Sequence, residues 1–184
     1  MKRRSNSGFT LLEALLVIAI SVVVAAIALP VFTRYVNNYR LIAAVSAVTG
    51  AIQTTRFQAI LHGCQYQLVL TSSTMSYQVY TEAPQPPATA CLSTFTTVMP
   101  GTTAPAGAVP ILSSGPITMS GTSFTFTFSS NGTLTEVASP AGTGLELTNS
   151  LKSTYIYVSG VGDVTTCQPT SLCTCSATTP TVCD

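Results

Sequence analysis

Hydrophobic and polar positions divide the chain into three parts with different periods. Residues 14–32 contain no charged side chain and are apolar on all sides, which is typical of a membrane-spanning helix. At 1.5 Å per residue they extend about 28 Å, close to the roughly 30 Å hydrocarbon thickness of a bilayer. After Arg34 the apolar residues recur at helical steps, and beyond Gly63 they alternate with polar ones.

The first two parts predict one helix from Phe9 to about Leu61, unusually long for a globular protein. Pro30 removes one backbone hydrogen bond and predicts a kink, and Gly63 is a helix stop. In the second half, one apolar stripe predicts docking on a sheet; it consists of Leu41, Val45, Val48, Ile52 and Ala59. Arg40, Gln53 and Arg56 lie outside this stripe.

The alternating part predicts antiparallel β-strands at 65–71, 76–81, 123–129, 133–138, 144–148 and 154–159. Three phenylalanines in 123–129 share one face, and Asn131-Gly132 is a hairpin turn signal. Residues 82–116 hold seven of the eleven prolines and predict a long surface loop, with a short strand near Thr94–Val98. Together the patterns predict an α+β fold, in which a long N-terminal helix packs on an antiparallel sheet.

The formal net charge of the whole chain is +1, but the part that follows the basic N-terminal residues is acidic. Three of the seven basic residues lie in the first four positions, and without them four basic residues face six acidic ones, a net charge of −2. From Phe57 onward Lys152 is the only basic residue against five acidic ones, a net charge of −4. Such a surface does not attract a phosphate backbone, so nucleic acid is an unlikely partner.

All six cysteines follow the apolar segment: Cys64, Cys91, Cys167, Cys173, Cys175 and Cys183. An even count on the exported side of a membrane segment indicates disulfides formed in an oxidising compartment. The favoured pairing joins Cys64 to Cys91 and places two bridges within the tail, although the sequence does not choose among the possible pairings. A metal site is the rival interpretation, but the tail spacing fits no zinc motif and His62 is distant.

The N-terminal residues Gly8-Phe9-Thr10-Leu11-Leu12-Glu13, after a basic leader, resemble the class III signal of type IV pilins and pseudopilins. The resemblance implies that a prepilin peptidase cuts after Gly8 and that the new N-terminal Phe9 is N-methylated. It also implies that Glu13 pairs with the terminal amine of a neighbouring subunit. Many members of the family carry a proline at the distance of Pro30.

Two other targeting signals compete with this interpretation. Ala26-Ile27-Ala28 could be the cleavage site of an ordinary secretory signal peptide, which would leave a mature chain beginning at Leu29. Glu13 argues against it, because a carboxylate weakens the apolar region that such signals need. Arg3-Arg4 could belong to a twin-arginine signal, but the apolar residues that should follow closely are missing.

The region from about Arg56 to Val164 resembles one branch of this family, the GspH/FimT-type minor pseudopilins. The similarity lies in the helix end around Arg56 to Ile60, the Phe-rich strand before Gly132, and a late strand ending near Gly160. Members of this branch often carry an arginine after the late glycine, where DNA-binding members place basic residues. This chain has Asp163 there, which puts a DNA-uptake role in doubt.

The resulting domain organisation has a cleaved leader at 1–8, a transmembrane and assembly helix at 9–33, and an amphipathic helix half at 34–63. A β-rich head follows at 64–166, with its long loop at 82–116 and a cysteine-rich tail at 167–184. The expected protein is a structural subunit of a type IV pilus or a type II secretion pseudopilus. It is held in the bacterial inner membrane with its head in the periplasm before assembly.

The expected partners are other pilin or pseudopilin subunits, the prepilin peptidase, the inner-membrane assembly platform, and lipid before assembly. The alternative function is that of an adhesin at the filament tip or a DNA-uptake minor pilin. An enzyme is not expected, because the chain has one histidine, few carboxylates and no nucleophile motif. No cofactor, metal or catalytic residue is predicted.

Overall fold

A computed structural model describes residues 10–82, 90–96, 108–111, 115–138, 144–169 and Cys175. Within these residues a single α-helix, α1 (Leu11–His62), precedes nine β-strands. The long helix predicted from the sequence is confirmed, while its predicted first residue, Phe9, lies outside the described residues. Gly63, at φ 64°, ends the helix as expected, because glycine adopts the left-handed conformation without a steric penalty.

The strands are β1 (Tyr66–Thr71), β2 (Ser76–Thr81), β3 (Val109–Pro110), β4 (Thr118–Met119), β5 (Ser123–Phe128), β6 (Leu134–Ala138), β7 (Gly144–Thr148), β8 (Ser153–Val158) and β9 (Val164–Cys167). They form two antiparallel sheets, with the orders β3-β2-β1-β5-β6 and β4-β7-β8-β9. All strand pairs are antiparallel, so the predicted α+β class with a long apolar helix and antiparallel sheets is confirmed.

The contacts of the chain divide it into two compact units, and the boundary lies inside α1, between Val36 and Asn37. The second unit covers residues 37–184, and from here on we use the name head for all of it, including the second half of α1. In it the helix and both sheets share one core. The helix contributes the buried residues Leu41, Ala44, Val48, Ala51, Ile52, Thr55 and Ala59. These recur every three or four residues, so the predicted docking stripe is confirmed.

Strand β1 occupies the centre of the five-stranded sheet and provides the inner face of the core. Its Tyr66, Leu68 and Leu70 lie opposite three phenylalanines of β5, and all six side chains are buried. They are joined by Leu145, Leu147 and Ile156 from the other sheet. Because alternate side chains of a strand share a face, the register of β1 against β5 follows from this apolar set.

Several details differ from the sequence-based expectations. No regular strand forms near Thr94: Thr96 makes only an isolated bridge with Thr81, and residues 97–98 lie outside the described part. The predicted loop 82–116 contains β3, and β4 and β9 were not expected. These three strands have two to four residues, too few for a period to be recognised in the sequence.

Candidate functional site

The described part of the N-terminal segment begins with a helix cap at Thr10. The Thr10 hydroxyl accepts a hydrogen bond from the Glu13 backbone N–H at 3.3 Å, and the Ala14 N–H donates to the Thr10 carbonyl at 3.1 Å. This is one half of a capping box, in which the first residue satisfies a backbone donor that the first helical turn leaves unpaired. The Thr-x-x-Glu spacing in the sequence is the signal that predicts it.

Glu13 therefore has a local role as well as the predicted assembly role. Its carboxylate is exposed and lies in the first turn, where the helix dipole stabilises a negative charge by about 0.3–1 kcal/mol. Gly8 and Phe9 lie outside the described residues, so the cleavage and methylation site stays a prediction. The pairing of Glu13 with another subunit also stays a prediction.

Behind this cap the first unit presents a continuous apolar surface. The large hydrophobic side chains from Leu11 to Tyr35 are 49–79% exposed. The most apolar 18-residue window of α1 has a mean hydropathy of 3.0 and is not buried at all, and α1 is long and apolar enough to cross a membrane. An exposed apolar surface of this length needs lipid or other apolar helices around it.

Pro30 lies inside α1, and the helix continues on both sides of it. A proline has no backbone N–H, so the carbonyl four residues earlier loses its helical partner. The Thr33 hydroxyl donates a hydrogen bond to the Pro30 carbonyl at 3.0 Å, which adds a local side-chain bond at this point. A kink at Pro30 stays a prediction.

Two disulfides cross-link the described part of the head. Cys64, directly after the helix, is bonded to Cys91, and Cys167 at the end of β9 is bonded to Cys175. The first is the pair that the sequence favoured, and the second is a bridge within the predicted tail. Cys173 and Cys183 lie outside the described residues. Bridges of this kind are typical of proteins that fold outside the reducing cytosol.

Near the end of α1, Arg56 joins the helix to two β-turns. Its Nε donates to the Gly132 carbonyl at 3.1 Å, and its Nη1 lies 3.1 Å from Asp163 Oδ1. Gly132 lies in the turn between β5 and β6, and Asp163 in the turn between β8 and β9. The sequence predicts that Arg56 lies on the polar side of the helix, and it shows Asp163 at a position where the family it resembles often has arginine. It does not show that the two side chains form an ion pair.

The two turns have the same construction, and we call them the twin turns (129–133 and 159–163). In each, the first residue is a serine whose N–H donates to the carbonyl four residues later, at 2.9 Å in both turns. The fourth residue is a glycine at positive φ, 78° for Gly132 and 85° for Gly162, and its N–H donates to the serine carbonyl. The repeated Ser-x-x-Gly spacing after a strand is the sequence signal for this pair.

Both glycines are needed because the helix passes directly over them. A Cβ on Gly132 would lie 2.5 Å from Ile60 Cδ1, and one on Gly162 would lie 2.6 Å from the Gly132 carbonyl oxygen and 2.7 Å from Arg56 Nε. Beside this junction Arg56, Phe57, Asp163 and their neighbours line an open cleft of 270 Å³. Its two charged groups are paired, so the cleft carries no net charge from them.

Among the described residues, no group of three His, Cys, Asp or Glu side chains could hold a metal ion. The His62 ring bonds the Gln58 side chain at 3.1 Å and stacks on Tyr66, so its contacts are with side chains rather than with the backbone end of the helix. Burial raises the pKa of Tyr155, and the neighbouring Glu146 raises it further, so this phenol stays protonated at neutral pH.

Comparison with known protein families gives a match at the N-terminus of the chain. The family model described as the prokaryotic N-terminal methylation motif matches residues 3–29, which include Gly8, Phe9 and Glu13. No curated protein and no solved structure matches the chain. The match supports a type IV pilin-like or pseudopilin precursor, a class of structural subunits processed by prepilin peptidase.

Proposed function

We propose that this protein is a structural subunit, a minor pilin or pseudopilin, of a type IV pilus or a type II secretion pseudopilus. The observation that carries the proposal is the methylation motif at residues 3–29, which includes the capped start of an apolar helix whose surface is exposed. A prepilin peptidase would cut after Gly8, and the assembly platform would then pack the helix among those of other subunits. The subtype that the head resembles is the GspH/FimT-type minor pseudopilin.

Before assembly, the apolar helix would hold the precursor in the inner membrane. The basic leader, Lys2 with Arg3 and Arg4, favours a cytoplasmic N-terminus, and the head would then lie in the periplasm. The disulfides Cys64–Cys91 and Cys167–Cys175 fit that compartment. On assembly the apolar surface would exchange lipid contacts for contacts with neighbouring helices.

When the helix exchanges lipid contacts for contacts with neighbouring helices, Glu13 would pair with the terminal amine of an adjacent subunit. In a low-dielectric helix bundle such a pair fixes the register of neighbouring subunits more than it adds stability. A charge that stays unpaired there is strongly disfavoured, so a subunit without its partner in register is rejected.

The charge distribution supports a structural subunit over a DNA receptor. Arg56 is one of three basic residues in the head, and its charge is already matched by Asp163 at 3.1 Å. A phosphate would have to break that pair and approach an otherwise acidic surface.

The test separates the charge of Glu13 from its place in the capping box. Glutamine also fits the third helical position of a capping box, whereas alanine does not. We therefore expect both Glu13→Gln and Glu13→Ala to be exported to the membrane but absent from sheared filament fractions, measured by immunoblot against the wild type. Normal filament incorporation of Glu13→Gln would show that assembly does not require the charge of Glu13.

A further inference from the structure

Asn149, in the turn between β7 and β8, makes a buried polar connection to the helix. Its side-chain Nδ2 donates to the Asn37 carbonyl at 3.1 Å and to Asn38 Oδ1 at 3.4 Å. Its Oδ1 accepts the backbone N–H groups of Leu151 at 2.8 Å and Lys152 at 2.7 Å. Asn149 is only 6% exposed, so these bonds are formed away from bulk water.

The four bonds use the complete hydrogen-bonding capacity of the amide, which has two donor hydrogens and an oxygen with two lone pairs. Its orientation is determined, because the two backbone N–H groups of the turn require an oxygen on their side. The nitrogen must then face the helix. The turn thus holds Asn149 in the one orientation that can bond the helix carbonyl.

The connection lies where the contacts of the head begin. Asn37 is the first residue of the head, and the first buried helical residue is Leu41, at 2% exposure. From Thr10 to Tyr35 every described side chain is exposed. Asn149 therefore bonds the helix one turn before the apolar core does, at the place where an unsupported helix end would fray.

We infer that Asn149 acts as a clasp, which fixes α1 to the β7–β8 turn of the head at Asn37 and Asn38. When helical hydrogen bonds open on the N-terminal side, the clasp keeps this opening from spreading into the head. The carbonyl of Asn37 accepts this donor from the β7–β8 turn in addition to its helical partner four residues later, so this point of the helix stays bonded to the head even when helical bonds before it open. The apolar segment can then change its surroundings, from lipid to other helices or the reverse, while the register of the helix on the sheets is kept.

The test is hydrogen exchange with mass spectrometry on the full-length protein in detergent micelles. Asn149→Asp keeps an oxygen for the two N–H groups of the turn but replaces the donor that faces Asn37. We expect the amides of residues 38–44 to exchange about tenfold faster in this variant, the effect of losing a buried hydrogen bond, with β1 and β5 unchanged. Ser150→Ala, an exposed position of the same turn, is the matched control and should match the wild type.

A variant in the helix tests whether Asn149 stops the spread of helix opening, and its first measurement, with Asn149 present, does not depend on the folding of Asn149→Asp. Ala28→Gly loosens the exposed part of the helix, because glycine lowers helix stability. With Asn149 present, its effect should stop before residue 38; in the Asn149→Asp background it should extend through residues 38–44. Spreading in the presence of Asn149 would overturn the clasp, as would unchanged exchange in Asn149→Asp or a uniform increase across all strands.

Discussion

The close packing around the twin turns predicts that Gly162→Ala destabilises the head. The added Cβ would lie 2.6 Å from the Gly132 carbonyl oxygen, 2.7 Å from Arg56 Nε and 2.9 Å from Arg56 Cδ. The first of these atoms is backbone of the neighbouring turn, so it cannot rotate away. The Arg56 side chain can move, but only by giving up its bond to the Gly132 carbonyl.

Two costs combine in Gly162→Ala. At φ 85° an L-residue is strained by about 1–2 kcal/mol, and displacing Arg56 removes a hydrogen bond from a charged donor, about 1.5 kcal/mol for a half-buried group. The ion pair with Asp163 adds little, because its side chains are 31% and 69% exposed. The total is about 3 kcal/mol, or roughly 9 °C in Tm for a unit of this size.

Thermal unfolding of the full-length protein in detergent, followed by the near-ultraviolet circular dichroism of its tyrosines, measures this shift. The matched control is Gly160→Ala in the same turn, where a Cβ would meet no atom within 4 Å. We expect the control to stay within about 2 °C of the wild type, as surface substitutions usually do. Equal Tm values for the two alanine variants would refute the conclusion that the helix passes too close to this turn for a side chain.

The disulfides and a buried tyrosine provide two further predictions. Cys64 and Cys91 are 27 residues apart and Cys167 and Cys175 are eight apart, so chain entropy predicts stabilisations of about 3.5 and 2.5 kcal/mol. In urea unfolding, the double alanine variant of the first pair should therefore lose about 1 kcal/mol more than that of the second; an equal or reversed order would contradict this. Burial raises the pKa of Tyr66, and the neighbouring Thr81 side chain lowers it in part, so the contribution of Tyr66 to stability is complete below about pH 10 and is lost as the pH rises through its higher folded-state pKa. Urea unfolding between pH 8 and 11 should show this loss, and Tyr66→Phe should reduce it; an unchanged pH dependence in Tyr66→Phe would contradict the assignment.

Features that depend on neighbouring residues in the chain could be predicted from the sequence. The period of 3.6 and the stop at Gly63 predicted α1, and alternation predicted the six longer strands close to their observed bounds. The strands β3 and β4 could not be found, because two residues carry no period and are strands only through their partners, β2 and β7. The division into two sheets likewise depends on contacts between distant segments.

The candidate site likewise has features that the sequence predicts and features that it does not. The motif from Gly8 to Glu13 is local, and the sequence is sufficient to recognise it. The contact of Arg56 with Asp163 spans 107 positions and that of Asn149 with Asn37 spans 112, so no local pattern could reveal either. The sequence does contain the repeated Ser-x-x-Gly spacing of the twin turns, but it does not show that the helix crosses them.

The ion pair also changes the interpretation of the acidic residue that follows the late glycine. From the sequence, Asp163 was a departure from a family pattern that often has arginine there. In the structure its carboxylate neutralises Arg56, the residue that bonds both twin turns to the helix. An arginine at position 163 would place two guanidinium groups side by side, and their repulsion would push Arg56 away from the Gly132 carbonyl. The acid at position 163 and the base at position 56 therefore belong to one structural unit, and neither is free to bind a phosphate.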